Sequence, residues 1–405
     1  MPLLHPATSR PRAVIIGGSL GGLFAAVSLR AIGWDVRVFE RSAGVPDSRG
    51  GGIVLQPEVE AVFDFARVPH AVPLGVASRE RIYLDRQDQI VSRAMMPQVQ
   101  TSWNTLHGSM RRALPHDVLH AGERLLGFEQ QGARVTAHFA GGRSEDADLL
   151  IGADGARSTV RQQLLPHIAP HYAGYVAWRG LAAERGLAAE RGLAADLQAK
   201  LSDSFAFQQG EDHMLLEYLV PGDNESTLAG QRRRNWVWYR KIAAGARLTQ
   251  ALTDRDGVAH AFSLPPGAMP DAAIAALRHD AAQHLAPSFA RLVKATPEPF
   301  VQAILDLQVP QMVFGRVLLL GDAASVPRPH TAGGAAKAAA NALSLARSLR
   351  SADTGMAIDA ALARWQGQAL RHGRQMSEWG IALGERIMDM APHGASDGRP
   401  REGMF

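Results

Sequence analysis

Ala13-Val14-Ile15-Ile16-Gly17-Gly18-Ser19-Leu20-Gly21-Gly22 is the stretch on which the reading of this chain turns. Its four consecutive apolar residues suit a strand buried on both faces of a parallel sheet. The strand meets a glycine-rich turn, after which Leu20, Phe24, Val27 and Ala31 recur at the spacing of one helix face. Gly33 stands where a glycine ends a helix, and Val36-Arg37-Val38-Phe39-Glu40 reads as a second strand. The unit opens a βαβ fold with glycines at its first joint.

A turn of this kind lets backbone N–H groups and a helix N-terminus approach a pyrophosphate. Gly17 and Gly22 match the first and last glycines of the dinucleotide fingerprint. Ser19 replaces the middle one, yet it is small and its hydroxyl can donate to a phosphate. Glu40, 23 residues after Gly17, is placed to accept from ribose hydroxyls and argues against a 2′-phosphorylated ligand. The glycines alone also fit an ordinary β-to-α turn, so the strand, helix and acid around them carry the argument.

Working outward, Asp148-Leu149-Leu150-Ile151 leads into Gly152-Ala153-Asp154-Gly155, and Arg316 to Leu320 leads into Gly321-Asp322. A Pro-rich turn, Val326 to His330, precedes Gly333-Gly334 and an Ala-rich helix reaching about Arg350. Asp after a strand is often only a turn or cap residue; the order of the three motifs is what discriminates. Residues 172–264 are strand-rich, with Trp178, Tyr218, Trp236, Trp238 and Tyr239, and read as a second domain inserted into the first. The hexapeptide repeat starting at Gly180, Gly186 and Gly192 is too short for a solenoid and reads as an expansion lengthening a surface helix or loop.

The chain has 405 residues, enough for about two to three domains by length. Hydrophobic residues at 46% and charged residues at 20% exclude large-scale disorder. The absence of cysteine excludes disulfides, thiolate zinc sites and cysteine nucleophiles. No apolar run reaches the ~18 residues of a membrane span, and the first residues lack a signal-peptide core, so a cytoplasmic protein without a membrane partner is expected. Net charge is only +4. Arg232-Arg233-Arg234 lacks the interleaved aromatics of base stacking, reads as a solvated loop and gives no reason to expect nucleic acid. His167 and His171 are separated by Pro170, which breaks any helix aligning them, so no metal site is expected.

The ordered motifs resemble the single-component FAD-dependent aromatic hydroxylases, the family containing para-hydroxybenzoate hydroxylase, over roughly residues 12–385. Gly52-Ile53-Val54-Leu55-Gln56-Pro57-Glu58, Tyr172 to Gly180 and Pro327-Arg328-Pro329-His330 look like its hydroxypyridine branch. The resemblance implies an α/β fold: a Rossmann-like FAD-binding domain (1–70, 101–171 and 296–350) interleaved with a β-sheet substrate domain (71–100 and 172–295). A C-terminal helical segment (351–390) and a flexible tail (391–405) would follow. It implies FAD contacts at Gly17, Ser19, Leu20, Gly22, Glu40, Arg41, Gln56, Asp154, Asp322, Gly333, Gly334 and Ala335. Where many members carry an arginine reaching the pyrophosphate this chain has Gly108, with Arg111 or Arg112 as substitutes or merely as a solvated helix face.

The activity so implied is hydroxylation of a small, electron-rich ring such as a hydroxypyridine, using O2 and NADH or NADPH as a transient reductant. General-base candidates are His330, His213 and Tyr218, each with a structural role as the competing reading; Pro329, His330 and Tyr218 would edge the substrate pocket. The alternatives are a flavin oxidase or reductase that transfers no oxygen, and a non-catalytic flavoprotein. A homodimer is common on symmetry grounds, though no sequence feature demands one.

Overall fold

Arg12–Ile16 forms the expected strand in a computed structural model that describes residues 10–44, 51–70, 73–187, 197, 200–350 and 355–388. The helix Leu20–Ala31 crosses over to Asp35–Glu40, which pairs with the first strand in parallel. Leu149–Gly152 pairs in parallel on the other side, and Val317–Leu319 beyond it. With Leu119–Ala121 and Val313–Phe314 at the edges, these make a six-stranded sheet. Helices Leu20–Ala31 and Gly334–Leu349 cover it and share one apolar core with Ile15, Phe24, Phe39, Ile151 and Leu320. The Gly17–Gly22 turn and Gly321-Asp322 therefore meet beyond the carboxyl ends of the two parallel strands that flank Leu149–Gly152, where open α/β sheets bind ligands.

The second layer is a ten-stranded sheet. Its path runs Ser263–Leu264, Phe300–Gln308, His171–Ala183, Arg233–Lys241, His213–Val220, Ser204–Gly210, Val76–Leu84, Ile90–Ser102 and Gly52–Val54, with Ser325–Val326 attached to Phe300–Gln308. One face packs Leu215, Trp236 and Trp238 against helices Asp271–His284 and Pro287–Ala295. The other packs Tyr175, Tyr218 and Tyr239 toward the C-terminal helix Gly355–Ile387. Gly52–Val54 and Phe300–Gln308, from segments expected in the FAD-binding domain, pair into this sheet. A short apolar run says that a strand is buried, not which sheet buries it.

Two expectations change. Arg232–Arg234 is not a solvated loop: it enters the strand Arg233–Lys241, and Arg234 is buried with its Nη1 donating to Glu217 Oε1 at 2.7 Å. Arg232 is held by Glu184 in the same way, Nη2 to Oε1 at 2.8 Å. Nor is the first repeat copy surface material. Gly180 lies inside the strand His171–Ala183, and a Cβ there would meet the Trp236 ring at 2.6 Å. Residues 188–196, which hold most of the other copies, and the tail from 389 lie outside the described residues. No described helix is long and apolar enough to cross a membrane.

Candidate active site

Between the two sheets lies a cleft of about 1250 Å³, above the ~300–1,000 Å³ of an ordinary small-ligand pocket and roomy enough for a dinucleotide and a small ring together. Backbone shapes its first wall. Gly17 has φ +110°, in the region that favours glycine, and a Cβ on Gly22 would lie 1.9 Å from the Gly17 carbonyl oxygen. These two glycines are thus required by the turn itself. Ser19 caps the helix position without spending its hydroxyl on the cap, and Leu20 is buried beneath it. Glu40 is fixed by two backbone donors, Gly18 N–H to Oε2 and Ser42 N–H to Oε1, both at 2.9 Å. A carboxylate has about four acceptor positions, so ribose hydroxyls can still be received. Arg41 and Gln56 line the same wall.

Asp154 accepts from the Thr159 and Val160 N–H groups through Oδ2, at 2.6 and 3.3 Å, and so caps a short helix. Its Oδ1 is buried without a partner, and burial raises its pKa. An unpaired buried carboxylate oxygen costs free energy unless something donates to it; a polyol or nucleotide hydroxyl is suitable. Asp322 follows Gly321 (φ +64°) and lines the cleft with its side chain half exposed. Arg161, absent from the sequence reading, links the two motifs by donating from Nη1 to the Ala323 carbonyl at 3.0 Å.

The helix Gly334–Leu349 begins at the cleft with Gly333, Gly334 and Ala335 among its lining. Gly333 N–H is already donated to Thr331 Oγ1 at 3.1 Å. The N–H groups of the helix's first turn, which have no acceptors within the helix, remain for a carbonyl gaining negative charge. Gly108 does lack an arginine's reach, and Arg111 and Arg112 do not line the cleft; Arg112 instead pairs with Glu225 at 2.8 Å. His107 takes part in its stead: stacked on Trp103, its Nε2–H donates to the Gly18 carbonyl at 3.1 Å and braces the glycine turn from behind. Burial keeps it neutral by lowering its pKa.

The second wall is made of side chains. Along His213–Val220 alternate residues face opposite sides, which parts two of the proposed bases. Tyr218 faces the cleft, whereas His213 faces away, its Nδ1 accepting from Trp238 Nε1 at 3.1 Å. Burial, with His284, Arg240 and Arg86 nearby, lowers the His213 pKa to about 4. His213 therefore drops out as a base for chemistry in the cleft.

His330 is at the cleft, as is Pro329, and one of its two ring nitrogens is already engaged. Nε2 is bonded to Tyr175 Oη at 2.8 Å, Nδ1 is enclosed without a partner, and burial beside Arg328 lowers the pKa to about 3. Arg328 is itself fixed by Asp306 through two bonds of 2.7 and 2.9 Å. Imidazole in this setting shapes the pocket and takes up no proton near neutral pH.

Two further residues complete the wall. Tyr239, whose ring centroid is 4.4 Å from His330, is fully enclosed and burial raises its pKa to about 12. Arg179 donates to Gln302 Oε1 at 2.8 Å and has no carboxylate partner among the described residues. A Cβ on Gly51 would meet Arg179 Nη2 at 2.1 Å, and one on Gly52 would meet the Tyr218 ring at 2.3 Å. The Gly51-Gly52 pair therefore lets Arg179 and Tyr218 lie directly against backbone at the far edge of their own sheet. Tyr218, Tyr239 and Arg179 all line the cleft; burial raises the Tyr218 pKa, and the Arg179 charge opposes the rise at both phenols. Around them Phe205, Phe207, Met214, Leu216 and Val237 keep the lining apolar.

Residues 11–173 and 294–380 match the FAD binding domain family, and residues 172–306 match an FAD binding domain-like family. The chain is 34% identical to the 2,6-dihydroxypyridine 3-monooxygenase of Paenarthrobacter nicotinovorans, over 85% of this chain and 83% of that one. It is 27% identical to the 6-hydroxynicotinate 3-monooxygenase of Bordetella bronchiseptica, over 84% and 82% respectively. Among solved structures, 2,6-dihydroxypyridine-3-hydroxylase from Arthrobacter nicotinovorans matches with a TM-score of 0.85 and 31% identity, over 96% of this chain and 94% of that one. The glycine turn, Glu40, Asp322 and the helix at Gly334 fit the cofactor of that family. This chain belongs to the FAD-binding aromatic hydroxylases, flavoprotein monooxygenases that draw their electrons from NAD(P)H.

Proposed function

We propose that this enzyme hydroxylates a hydroxypyridine, with 2,6-dihydroxypyridine the representative substrate and NADH the favoured reductant. The ring binds as its oxyanion against Tyr218, Tyr239 and Arg179. The observation carrying this reading is the composition of the second wall: two phenols held protonated by burial and one guanidinium without a carboxylate partner among the described residues. Two neutral donors and a cation complement an anionic ring oxygen, and the apolar surround strengthens each interaction by excluding water. The pyridine relatives support the same ring class.

Bound FAD supplies reduction by the nicotinamide and activation of oxygen. The protein's residues do the rest. Gly17, Gly22 and Glu40 hold the nucleotide end, Asp322 the polyol, and the first turn of Gly334–Leu349 a flavin carbonyl. Tyr218 and Tyr239 donate to the ring's oxygens and set which carbon faces the flavin. Arg179 favours the deprotonated ring, which is electron-rich and suited to an electrophilic oxygen. A substrate that arrives ionised needs no protein base, consistent with the lowered pKa of His330 and with His213 facing away from the cleft.

Purified flavoprotein is tested with NADH and a panel of hydroxypyridines and hydroxybenzoates under ¹⁸O2. A hydroxypyridine that stimulates NADH oxidation and gains one labelled oxygen is expected. Stimulated oxidation yielding only hydrogen peroxide would instead support an oxidase, and hydroxylation confined to benzoates would replace the ring class.

A further inference from the structure

The chain has only four lysines, Lys200, Lys241, Lys294 and Lys337, against a basic complement otherwise made of arginine. Lys337 alone is fully buried. It occupies the first turn of Gly334–Leu349, where a cation opposes the helix dipole, and complete burial of an ammonium is unfavourable. Two local penalties at one position point to an interaction that offsets them.

Nζ donates to the Gly321 carbonyl at 3.0 Å, to Asp322 Oδ1 at 3.3 Å, to Ser325 Oγ at 3.2 Å and to the Ser325 carbonyl. Four oxygens sharing three N–H donors suit the protonated form; burial lowers the pKa, and Asp322 opposes that fall. One of the four belongs to Asp322, which the cleft shares; its other oxygen, Oδ2, is not engaged by Lys337.

We propose that Lys337 is a positioning residue of the flavin site. Its ammonium braces the Gly321–Ser325 turn from behind, fixes Asp322 through Oδ1 and leaves Oδ2 to the cofactor's polyol. It also offsets the Asp322 charge beside an anionic diphosphate, and adds positive potential behind the helix end that meets the flavin carbonyl. This role is independent of which ring is hydroxylated.

The test uses FAD itself, titrated into apoprotein and followed by flavin fluorescence, with the midpoint potential of the bound flavin as second readout. Lys337→Met should weaken FAD affinity tenfold or more and lower the potential, with the KM for the aromatic substrate nearly unchanged. Asp322→Asn should weaken binding in the wild-type background but recover part of the lost affinity in Lys337→Met, a reversal that a purely structural lysine would not produce. Unchanged affinity and potential in Lys337→Met, or equal losses from Asp322→Asn in both backgrounds, would overturn the proposal. If Lys337→Met does not fold, ¹⁵N-lysine labelling of the unaltered protein serves, because four signals are easily resolved. A slowly exchanging ammonium that shifts on FAD addition is expected; four freely exchanging ammonium signals, or none that responds to FAD, would refute the assignment.

Discussion

The two walls of the cleft do comparable work with different materials. On the flavin wall the shape comes from backbone: Gly17, Gly22 and the first turn of Gly334–Leu349 are positioned by a sheet core, and Glu40 is locked by two N–H groups. On the opposite wall Tyr218, Tyr239 and Arg179 reach in from three strands, resting on Phe205, Gln302 and His330. A wall made of backbone tolerates few substitutions and recognises a constant ligand. A wall made of side chains can be rebuilt one residue at a time to suit another ring.

Breaking the flavin wall should have the largest effect. Gly22→Ala drives a methyl group into the Gly17 carbonyl, so the turn must open; FAD affinity should fall by about 100-fold or more, roughly 3 kcal/mol. Equilibrium dialysis of FAD measures this, and an unaltered affinity would show that the turn is not the pyrophosphate site.

The second wall should fail differently. Arg179→Met removes a charge-assisted contact worth about 1.5–3 kcal/mol, so kcat/KM for an anionic hydroxypyridine should fall about 10–100-fold while FAD content stays the same. Steady-state kinetics with flavin quantified spectroscopically checks both halves. Loss of flavin along with activity would erase the distinction between the walls.

The histidines give the smallest and most diagnostic effect. His330→Asn and His213→Asn should leave the shape of the pH–rate profile unchanged, because neither folded imidazole titrates near neutral pH. They should affect acid stability. An unfolded histidine takes its proton near pH 6.5, whereas folded His213 and His330 do so only near about 4 and about 3. The unfolded chain therefore binds more protons as pH falls from 6.5 toward 3, and stability declines across that window. The double variant should show a flatter dependence of Tm on pH, measured by calorimetry from pH 7 to 4.

This contrast also explains what the amino-acid order reveals. The Gly17–Gly22 turn, Glu40 and Gly321-Asp322 are local: each is a strand end and its next few residues, with spacing dictated by a helix and a pyrophosphate. Tyr239 and Arg179 have no local signature, since they meet only through the pairing of His171–Ala183 with Arg233–Lys241. His213 shows where the period of two was overlooked: five residues from Tyr218, it must lie on the opposite face. His107 and Lys337 escaped notice because each serves a backbone carbonyl distant in sequence, Gly18 in one case and Gly321 in the other. The Arg232–Arg234 run looked solvated because its carboxylates, Glu184 and Glu217, come from other strands and turns.

The most direct test of the account is the fate of labelled oxygen with 2,6-dihydroxypyridine and NADH. One ¹⁸O atom per molecule of ring product, nearly equal to the NADH consumed, and a falling product yield in Arg179→Met with FAD still bound, is the predicted result. NADH oxidation that the hydroxypyridine leaves unchanged, with no label entering the ring, would contradict it.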